Sequence, residues 1–325
     1  MMAKTALVLG ATGGISGEVA RNLVGRGWTV RALSRSGELG QRDGVEWERG
    51  DALNAPDVER AAEGASLIVH AVNPPGYRDW DRLVLPMLDG TIGAARAVGA
   101  RVLLPGTVYN YGPDAFPCIG EAAAQNPLTR KGRIRVEMER RLRAAAQAGD
   151  IRVLIVRAGD FFGPHAGNSW FGQALVEAGS RPRVLTYPGR DGIGHQWAYV
   201  PDVAETMARL AERDDLGSFE SFHMDGQWDP DGRRMIGALR RVLGEPGLPV
   251  RRLPWGAMRL AGPFVPLFRE LAEMRYLWEE PVRLDNRRLV ERLGGEPHTP
   301  LDAAVRASLV GLGCLEGPAA MGMAA

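Results

Sequence analysis

A glycine-rich turn near the start of the chain constrains the fold more than any other feature. The residues from Thr5 to Leu9 form an unbroken apolar run, which is typical of a strand buried on both faces of a parallel sheet. An apolar helical stripe begins at Val19, and between the two lies Gly10-Ala11-Thr12-Gly13-Gly14-Ile15-Ser16-Gly17. Glycines at such a strand-to-helix turn let the backbone approach a pyrophosphate, whose charge the helix N-terminus stabilises.

This turn therefore predicts a dinucleotide site. A strand precedes the motif and a helix follows it, which is the context that a phosphate-binding turn requires. The alternative is a glycine turn with a purely structural role. The predicted phosphate-binding residues are Gly10, Thr12, Gly13, Gly14 and Ile15.

Apolar runs and amphipathic segments alternate through the first half of the 325-residue chain. A helix is predicted from Trp80 to Val98, with a kink or break at Pro86, and another from Ile134 to Ala148. Such alternation implies right-handed crossovers, so we expect an α/β fold with a Rossmann-type doubly wound parallel sheet. The later strands are predicted from Thr29 to Leu33, Val45 to Trp47, Leu67 to Val72, Val102 to Leu104 and Ile151 to Val156.

The alternating pattern loosens in the second half of the chain. Proline, glycine and tryptophan become frequent there, and helices predicted from Asp202 to Glu212 and from Pro230 to Leu243 stand between short strands. We therefore expect a dinucleotide-binding Rossmann domain over residues 1–160 and a smaller C-terminal substrate lobe over residues 161–325. Some elements of the second half are expected to return to the first domain.

Composition excludes several classes of partner. A formal net charge of +1 gives no electrostatic reason to expect a nucleic acid or an anionic membrane. The N-terminus lacks the pattern of a signal peptide, and no apolar run approaches the ~20 residues of a membrane span. Cys118 and Cys314 stand apart without a Cys/His cluster, so no metal site is predicted. We expect a cytoplasmic protein that acts on a small-molecule substrate.

The end of the second predicted strand favours NADP(H) over NAD(H) as the cofactor. An NAD-selective site places a carboxylate there to bind the ribose hydroxyls. This chain has Ser34 and Arg35 at that point, and no acidic residue from Trp28 to Gly37. Arg35 can pair with a 2′-phosphate through charge-assisted bonds, and Arg31 on the same strand can assist. The alternative is that Arg35 is a solvated loop charge.

The sequence resembles the extended or atypical short-chain dehydrogenases/reductases of the NAD-dependent epimerase/dehydratase type. The family's third glycine falls on Ser16, with Gly17 just after it. Serine is small enough to adjust the packing of the turn without abolishing binding. The motifs that carry the resemblance span nearly the whole chain: the opening Gly10-Ala11-Thr12-Gly13, then Arg49-Gly50-Asp51, Val69-His70-Ala71, Tyr111-Gly112, the segment from Arg157 to Pro164, Asp202-Val203-Ala204 and the segment from Pro300 to Ala304.

The resemblance implies positions for the rest of the cofactor. Asp51 should lie near the adenine, although a turn-capping role for this aspartate stays open. Ala71, Val72 and Asn73 should lie near the ribose on the nicotinamide side. Homodimers are common in the family, so a homodimer stays open as well.

The resemblance also locates the expected chemistry and exposes a departure from it. Family members use a serine or threonine after strand five and a Tyr-x-x-x-Lys pair on the next helix, where the tyrosine exchanges the substrate proton. The alignment gives the first role to Thr107, and it puts Thr129 at the tyrosine position and Arg133 at the lysine position. No tyrosine in the chain has a lysine four residues later.

Tyr109 is the acid predicted in place of the missing tyrosine. If the chain stays extended after Thr107, Tyr109 and Tyr111 fall on the same face of the strand as the threonine. Tyr111 matches a family position explained by packing, which leaves Tyr109, and a packed loop aromatic is its alternative role. Arg133 can bind the nicotinamide ribose and supply positive charge, but it cannot shuttle a proton at neutral pH.

Segments beyond the carboxyl ends of the strands are expected to surround the substrate. They run from Asn73 to Tyr77, Gly106 to Pro113, Gly159 to Trp170 and His195 to Tyr199. Such a lining suits a flat or moderately apolar molecule, although each aromatic can instead belong to the core. His165 and His195 remain alternative acids. The aromatic and polar side chains that these segments could contribute to a substrate site are Phe161, Phe162, His165, Trp170, Trp197 and Tyr199.

Two functions are consistent with these features. The leading hypothesis is an NADPH-dependent oxidoreductase or epimerase-like enzyme that acts on a small carbonyl or alcohol substrate with an active site lacking Tyr-x-x-x-Lys. The alternative is a non-catalytic NADP(H)-binding sensor or regulatory protein. Both need the glycine turn, and they differ at the groups that surround the nicotinamide.

Overall fold

A computed structural model of the protein describes residues 4–35, 37, 39–74 and 79–317. Strands and helices alternate along the first half, as the sequence pattern predicts. A short 3-10 turn at Val108–Asn110 and another at Pro113–Ala115 follow the sixth strand. The elements are β1 (Thr5–Leu9), α1 (Gly14–Gly25), β2 (Thr29–Ser34), β3 (Gly40–Arg42), β4 (Val45–Arg49), α2 (Ala55–Ala61), β5 (Leu67–His70), α3 (Trp80–Val98), β6 (Arg101–Gly106), β7 (Cys118–Ile119), α4 (Arg130–Gln147) and β8 (Arg152–Arg157).

The second half consists of shorter elements. A π-type turn at Phe171–Leu175 and a 3-10 turn at Arg275–Trp278 interrupt it. The helices and strands are β9 (Asp160–Phe162), β10 (Leu185–Tyr187), β11 (His195–Tyr199), α5 (Val200–Ala211), β12 (Phe219–His223), β13 (Gln227–Asp229), α6 (Arg234–Leu243), β14 (Val250–Arg252), α7 (Trp255–Ala261), α8 (Pro266–Ala272), β15 (Arg283–Leu284), α9 (Arg287–Leu293) and α10 (Leu301–Gly311).

An eight-stranded sheet in the order β12-β8-β6-β5-β1-β2-β4-β3 forms the centre of the molecule. Every pair in it is parallel except β3 with β4. Helices α1 and α5 cover one face, and α2, α3 and α4 cover the other, which gives two apolar cores. The predicted Rossmann-type doubly wound sheet is confirmed. Pro86 lies inside α3 and does not end it, and β5 stops two residues before the predicted end.

The strand order reverses direction at β1, which lies between β5 and β2. Ligands of open α/β sheets bind beyond the carboxyl ends of the strands at such a point. The residues that follow β1 are the glycine turn, and those that follow β5 are Ala71, Val72 and Asn73. The fold therefore brings these two predicted segments to one crevice.

The second half of the chain contributes both to the large sheet and to a separate core. Strand β12 pairs in parallel with β8 at the edge of the large sheet. The other strands form small sheets, β13-β11-β9, β10-β14 and β15-β7. Aromatic side chains dominate the core that these sheets share with α6 and α10, and they include Phe162, Phe171, Trp197 and Trp278.

A buried ion pair joins the elements at the carboxyl edge of the sheet. Arg157 ends β8 and is 1% exposed, and its guanidinium donates to both carboxylate oxygens of Glu139 on α4 at 2.8 and 2.9 Å. Asn110 and Gln125 donate to the same carboxylate at 2.9 and 2.8 Å. Arg157 also donates to the backbone carbonyl of Thr107 at 2.5 Å, so this network fixes the turn that leaves β6.

Removing one partner of this pair should destabilise the fold strongly. Glu139→Ala leaves the Arg157 guanidinium buried and unpaired, and we expect the free energy of unfolding to fall by about 3–5 kcal/mol. Glu137→Ala is the matched control on the same helix, because Glu137 pairs with the exposed Arg140 and the half-buried Arg141 and should contribute about 1 kcal/mol or less. Urea unfolding followed by circular dichroism measures both. Equal losses in the two variants would contradict the role given to the buried pair.

Candidate functional site

A cavity of about 1010 Å³ lies at the carboxyl edge of the large sheet, between the glycine turn and the second half of the chain. All the residues predicted from the sequence to bind the cofactor line it, and so do two of the three predicted catalytic residues. The glycine turn, the end of β2, the end of β5 and the turn after β6 thus face one space. These lining residues are Gly10, Thr12, Gly13, Gly14, Ile15, Ser34, Arg35, Asp51, Ala71, Val72, Asn73, Thr107 and Tyr109.

The glycine turn is shaped by two close backbone approaches. Gly10 has a φ of 84°, and a β-carbon at this residue would lie 2.9 Å from the Val72 α-carbon. A β-carbon at Gly14, the first residue of α1, would lie 2.7 Å from the His165 carbonyl oxygen. Both positions therefore require glycine for space, and Gly10 requires it for conformation as well. The result is a backbone cradle in which the N-terminus of α1 faces the cavity.

Ser16, which occupies the position of the family's third glycine, is accommodated inside the turn. Its side chain is buried, and its hydroxyl donates to the Gly10 carbonyl. Gly17 beside it packs closely, because a β-carbon there would lie 3.0 Å from the Ala11 carbonyl oxygen. The serine therefore adds a hydrogen bond that stabilises the turn, and it leaves the backbone cradle accessible from the cavity.

The end of β2 carries the groups predicted to select the cofactor. Ser34 accepts a hydrogen bond from the Gly37 amide at 2.7 Å, and Arg35 is exposed at the rim of the cavity. Asp51 lines the cavity, and its carboxylate accepts a hydrogen bond from the Leu53 amide at 3.0 Å, as expected of a turn-capping aspartate. Arg31 does not reach this region, because its guanidinium donates to the Glu63 carbonyl at 2.6 Å.

The turn after β6 presents Thr107 and Tyr109 to the cavity. The chain does not stay extended there, as the sequence argument assumed, but forms the 3-10 turn that Thr107 caps by accepting from the Tyr109 amide at 3.3 Å. Tyr111 consequently leaves the cavity side. It is fully buried, its hydroxyl lies 3.4 Å from His223 Nε2, and burial raises its pKa.

Arg133 does not lie in the cavity, and Arg135 does. The exposed Arg133 side chain turns back to the Leu128 carbonyl at 3.4 Å. Arg135 lines the cavity and donates to the Asn73 side-chain oxygen at 3.2 Å. Thr129, at the family's tyrosine position, caps α4 by accepting from the Gly132 amide at 3.0 Å.

Helical periodicity in the sequence could have distinguished the two arginines. Arg135 precedes the buried Met138 by three residues and the buried Leu142 by seven, so all three share one stripe of α4. Arg133 precedes the exposed Arg140 by seven and shares the opposite stripe. The family alignment predicted Arg133 at the lysine position, whereas the periodicity of α4 favours Arg135 on the side that faces the cavity.

The predicted aromatic mouth is divided between cavity and core. Phe161, His165 and Trp170 line the cavity, whereas Phe162 and Trp197 are fully buried in the aromatic core. Tyr199 is also in that core, and residues 75–77 of the predicted Asn73–Tyr77 segment lie outside the described residues. The sequence patterns did not indicate Trp80 and Arg135 or, from the second half, Glu177, Leu253, Met258, Phe268 and Leu271, and they indicated Asp160 only as part of the Gly159 to Trp170 segment.

A family model matches residues 6–223, and its description is the NAD dependent epimerase/dehydratase family. The chain belongs to this family. The match covers the glycine turn, the cavity-lining ends of β2, β5 and β6, and α4 and β12. The resemblance found in the sequence motifs is thereby confirmed. A search of curated proteins gives no match.

Several solved structures share the fold of this chain over nearly its whole length. MoeE5 in complex with UDP-glucose and NAD is 17% identical, with a TM-score of 0.74 over 95% of this chain and 98% of that chain. UDP-glucose 4-epimerase from Brucella ovis in complex with NAD is 18% identical, with a TM-score of 0.73 over 96% and 99%. UDP-N-acetylglucosamine 4-epimerase from Bacillus cereus is 13% identical, with a TM-score of 0.72 over 97% and 99%.

Within the part of the chain that the structure describes, no helix has the length and apolar character needed to span a bilayer. No group of three or more His, Cys, Asp or Glu side chains among those residues is arranged to hold a metal ion.

His70, at the end of β5 beneath the cavity, should make stability depend on pH. Burial, and then the charge of Arg135, lower its pKa to about 3, against about 6.5 in the unfolded chain. Below pH 6.5 the unfolded state therefore gains a proton that the folded state does not, and stability falls as the pH falls. Between pH 7 and pH 5 the loss from this residue should be about 2 kcal/mol.

Urea unfolding at several pH values checks this expectation. His70→Gln should remove its share of the pH dependence, and His223→Gln should do the same, because burial and then Arg157 lower the His223 pKa to about 3 as well. A pH dependence in His70→Gln as steep as that of the wild type would contradict the lowered pKa of His70.

Proposed function

We propose that this chain is an NADP(H)-dependent oxidoreductase or epimerase-like enzyme that acts on a small carbonyl or alcohol substrate. The observation that carries the proposal is the continuity of one cavity. It runs from the glycine turn, past Arg35, to Thr107 and Tyr109 and on into the second half of the chain. Residues 1–160 would hold the cofactor, and residues 161–325 would mainly enclose the substrate.

The cradle fits a dinucleotide. The backbone at Gly10 and Gly14 leaves space that a β-carbon would fill, and the N-terminus of α1 offers amide groups and a favourable dipole to a pyrophosphate. Relatives of known structure were solved with NAD. The end of β2 argues for NADP(H) here, because Ser34 and Arg35 stand where a carboxylate would bind the ribose of NAD. An exposed arginine can instead pair with the 2′-phosphate.

The chemistry would take place beside the turn after β6. A bound nicotinamide supplies hydride exchange. The Thr107 hydroxyl is suited to a hydrogen bond with the substrate oxygen, and the Tyr109 hydroxyl is suited to exchange the substrate proton. Arg135 takes the position of the missing lysine in this proposal, since it faces the cavity at Asn73. Its charge favours ionisation of a neighbouring tyrosine without taking up the proton itself.

The absence of a Tyr-x-x-x-Lys pair from the sequence supports a second candidate. A protein with the same cradle but no efficient proton donor would bind NADP(H) without turnover and act as a sensor or regulatory protein. The cofactor prediction below holds for both candidates, and the catalytic prediction separates them.

Arg35 should determine the cofactor preference. Wild-type protein should bind NADPH more tightly than NADH, and Arg35→Ala should cost the binding of NADPH about 1–3 kcal/mol and leave that of NADH unchanged. Arg31→Ala is the matched control, because Arg31 is engaged by the Glu63 carbonyl and should not change the preference. Titration followed by nicotinamide fluorescence gives all the dissociation constants. Equal wild-type affinities for the two cofactors would contradict NADP(H) selectivity.

Tyr109 should carry the proton transfer. Tyr109→Phe should lower kcat by about 10²–10⁴-fold with NADPH affinity retained, and Thr107→Val and Arg135→Ala should also lower it. Arg133→Ala is the matched control for Arg135→Ala, since the two arginines lie on opposite stripes of α4. NADPH absorbance over a panel of carbonyl compounds is the readout. Unchanged turnover in Tyr109→Phe removes this residue from the mechanism, and no turnover in wild type favours the sensor.

A further inference from the structure

The two halves of the chain contribute different charges to the cavity lining. The first half contributes Arg35 and Arg135 together with the Asp51 carboxylate. From Gly159 onward, the lining residues that the structure describes include no arginine or lysine. The charged groups that this part of the chain contributes are the carboxylates of the buried Asp160 and the exposed Glu177. The lining from the second half is therefore acidic.

Neighbouring side chains hold Asp160 in place in this part of the cavity lining. It begins β9, is 9% exposed and lines the cavity, and its Oδ2 lies 2.9 Å from Nε2 of the buried His195. The His195 ring stacks on Trp278 with ring centroids 3.6 Å apart, which fixes the imidazole in place. A buried carboxylate held in this way interacts with a nearby charge far more strongly than a solvated one does.

Further carboxylates act on Tyr187, which belongs to the aromatic core. Burial raises the pKa of Tyr187 on β10, and the charges of Asp229, Asp231 and Asp160 raise it further. All these carboxylates thus act on the same aromatic core that backs the cavity. Exposed arginines of the same region point to the surface, as Arg252 does in its pair with an aspartate there.

Apolar side chains complete the lining from the second half. They come from the π-type turn at Phe171–Leu175, from the segment that leads into α7, and from α7 and α8. A lining of this composition stabilises hydrocarbon and aromatic groups through the area that they bury. The apolar lining residues are Trp170, Ala174, Leu175, Val176, Val184, Leu253, Pro254, Met258, Phe268 and Leu271.

We propose that the substrate is an uncharged, mainly apolar carbonyl or alcohol that carries no phosphate group, and that Asp160 selects against nucleoside diphosphate sugars. This inference rests on the proposed function and names its substrate class. A diphosphate beside Asp160 would meet its carboxylate and no lysine or arginine among the described lining residues of the second half. A neutral molecule would instead bury its hydrocarbon part, and an alcohol could donate its hydroxyl hydrogen to the Asp160 carboxylate.

Binding measurements on the NADPH-saturated protein test the proposal. The probes are a panel of alicyclic and aromatic ketones and alcohols, including menthone, decalone and acetophenone, and UDP and UDP-glucose as the charged ligands. Isothermal calorimetry should detect at least one neutral probe and no UDP-glucose up to about 1 mM, a threshold near −4 kcal/mol. UDP-glucose binding at least as tight as that of the neutral probes, or no binding by any of them, would overturn the proposal.

Asp160→Asn separates the charge from the shape of the cavity. Asparagine keeps the size of the side chain and a hydrogen-bonding group for His195. Removal of the charge should therefore make UDP-glucose, which is not detected with the wild type, bind with a dissociation constant below about 1 mM. Asp214→Asn is the matched control, because Asp214 is almost fully exposed and does not line the cavity, and it should change nothing. Unchanged UDP-glucose binding in Asp160→Asn would contradict the selective role of this residue.

The proposed function and the proposed substrate class are contradicted by different results. NADPH is titrated first, without any substrate probe. Failure of NADPH to bind removes the proposed function. NADPH binding together with tight UDP-glucose binding leaves the proposed function intact and removes only the substrate class.

Discussion

The ion pair between Arg157 and Glu139 is the contact on which the arrangement of the site depends. Two charges are buried at the carboxyl edge of the sheet, and burial of this kind is tolerated only when the remaining hydrogen-bonding capacity is filled. Asn110 fills part of it from the turn after β6. Arg157 also holds the Thr107 carbonyl, so one network sets β6, β8 and α4 relative to one another. Thr107 and Tyr109 reach the cavity because that turn is fixed.

The same edge of the sheet places the two halves of the site opposite each other. The glycine turn can approach the end of β5 because Gly10 has no β-carbon and a left-handed backbone. Across the cavity, β9 follows β8 almost directly and carries Asp160 into the lining. The glycine turn and Arg35 border the same cavity to which the second half contributes apolar side chains and the Asp160 carboxylate. Gly10 and Arg35 directly follow strands, and Asp160 begins β9 just after β8; the ends of strands are where folds of this class vary their chemistry.

Much of the fold and of the cofactor cradle could be predicted from the sequence because they depend on local patterns. Buried parallel strands are continuous apolar runs, and the turn from Gly10 to Gly14 has a backbone requirement that only glycine meets. The three-residue strand β3 was not predicted, since its residues are all exposed and carry no apolar pattern.

The catalytic end depended on contacts between distant residues, and there prediction was weaker. An extended chain after Thr107 was a reasonable expectation, but the hydrogen bonds of Arg157 and Asn110 favour a turn. The family alignment predicted that Arg133 occupies the lysine position, whereas the packing of α4 places Arg135 in the cavity lining. Burial of Trp197 and exposure of Trp170 to the cavity depend on how β9, β11 and the π-type turn meet, which no local pattern encodes.

A crystal structure with NADPH bound tests the central claim most directly, namely that one cavity holds the cofactor with its nicotinamide beside the turn after β6. We predict the pyrophosphate over Gly13 and Gly14, the 2′-phosphate in contact with Arg35, and the nicotinamide ring between Asn73 and Tyr109. A dinucleotide bound elsewhere, or one whose nicotinamide lies away from Tyr109, would contradict the account.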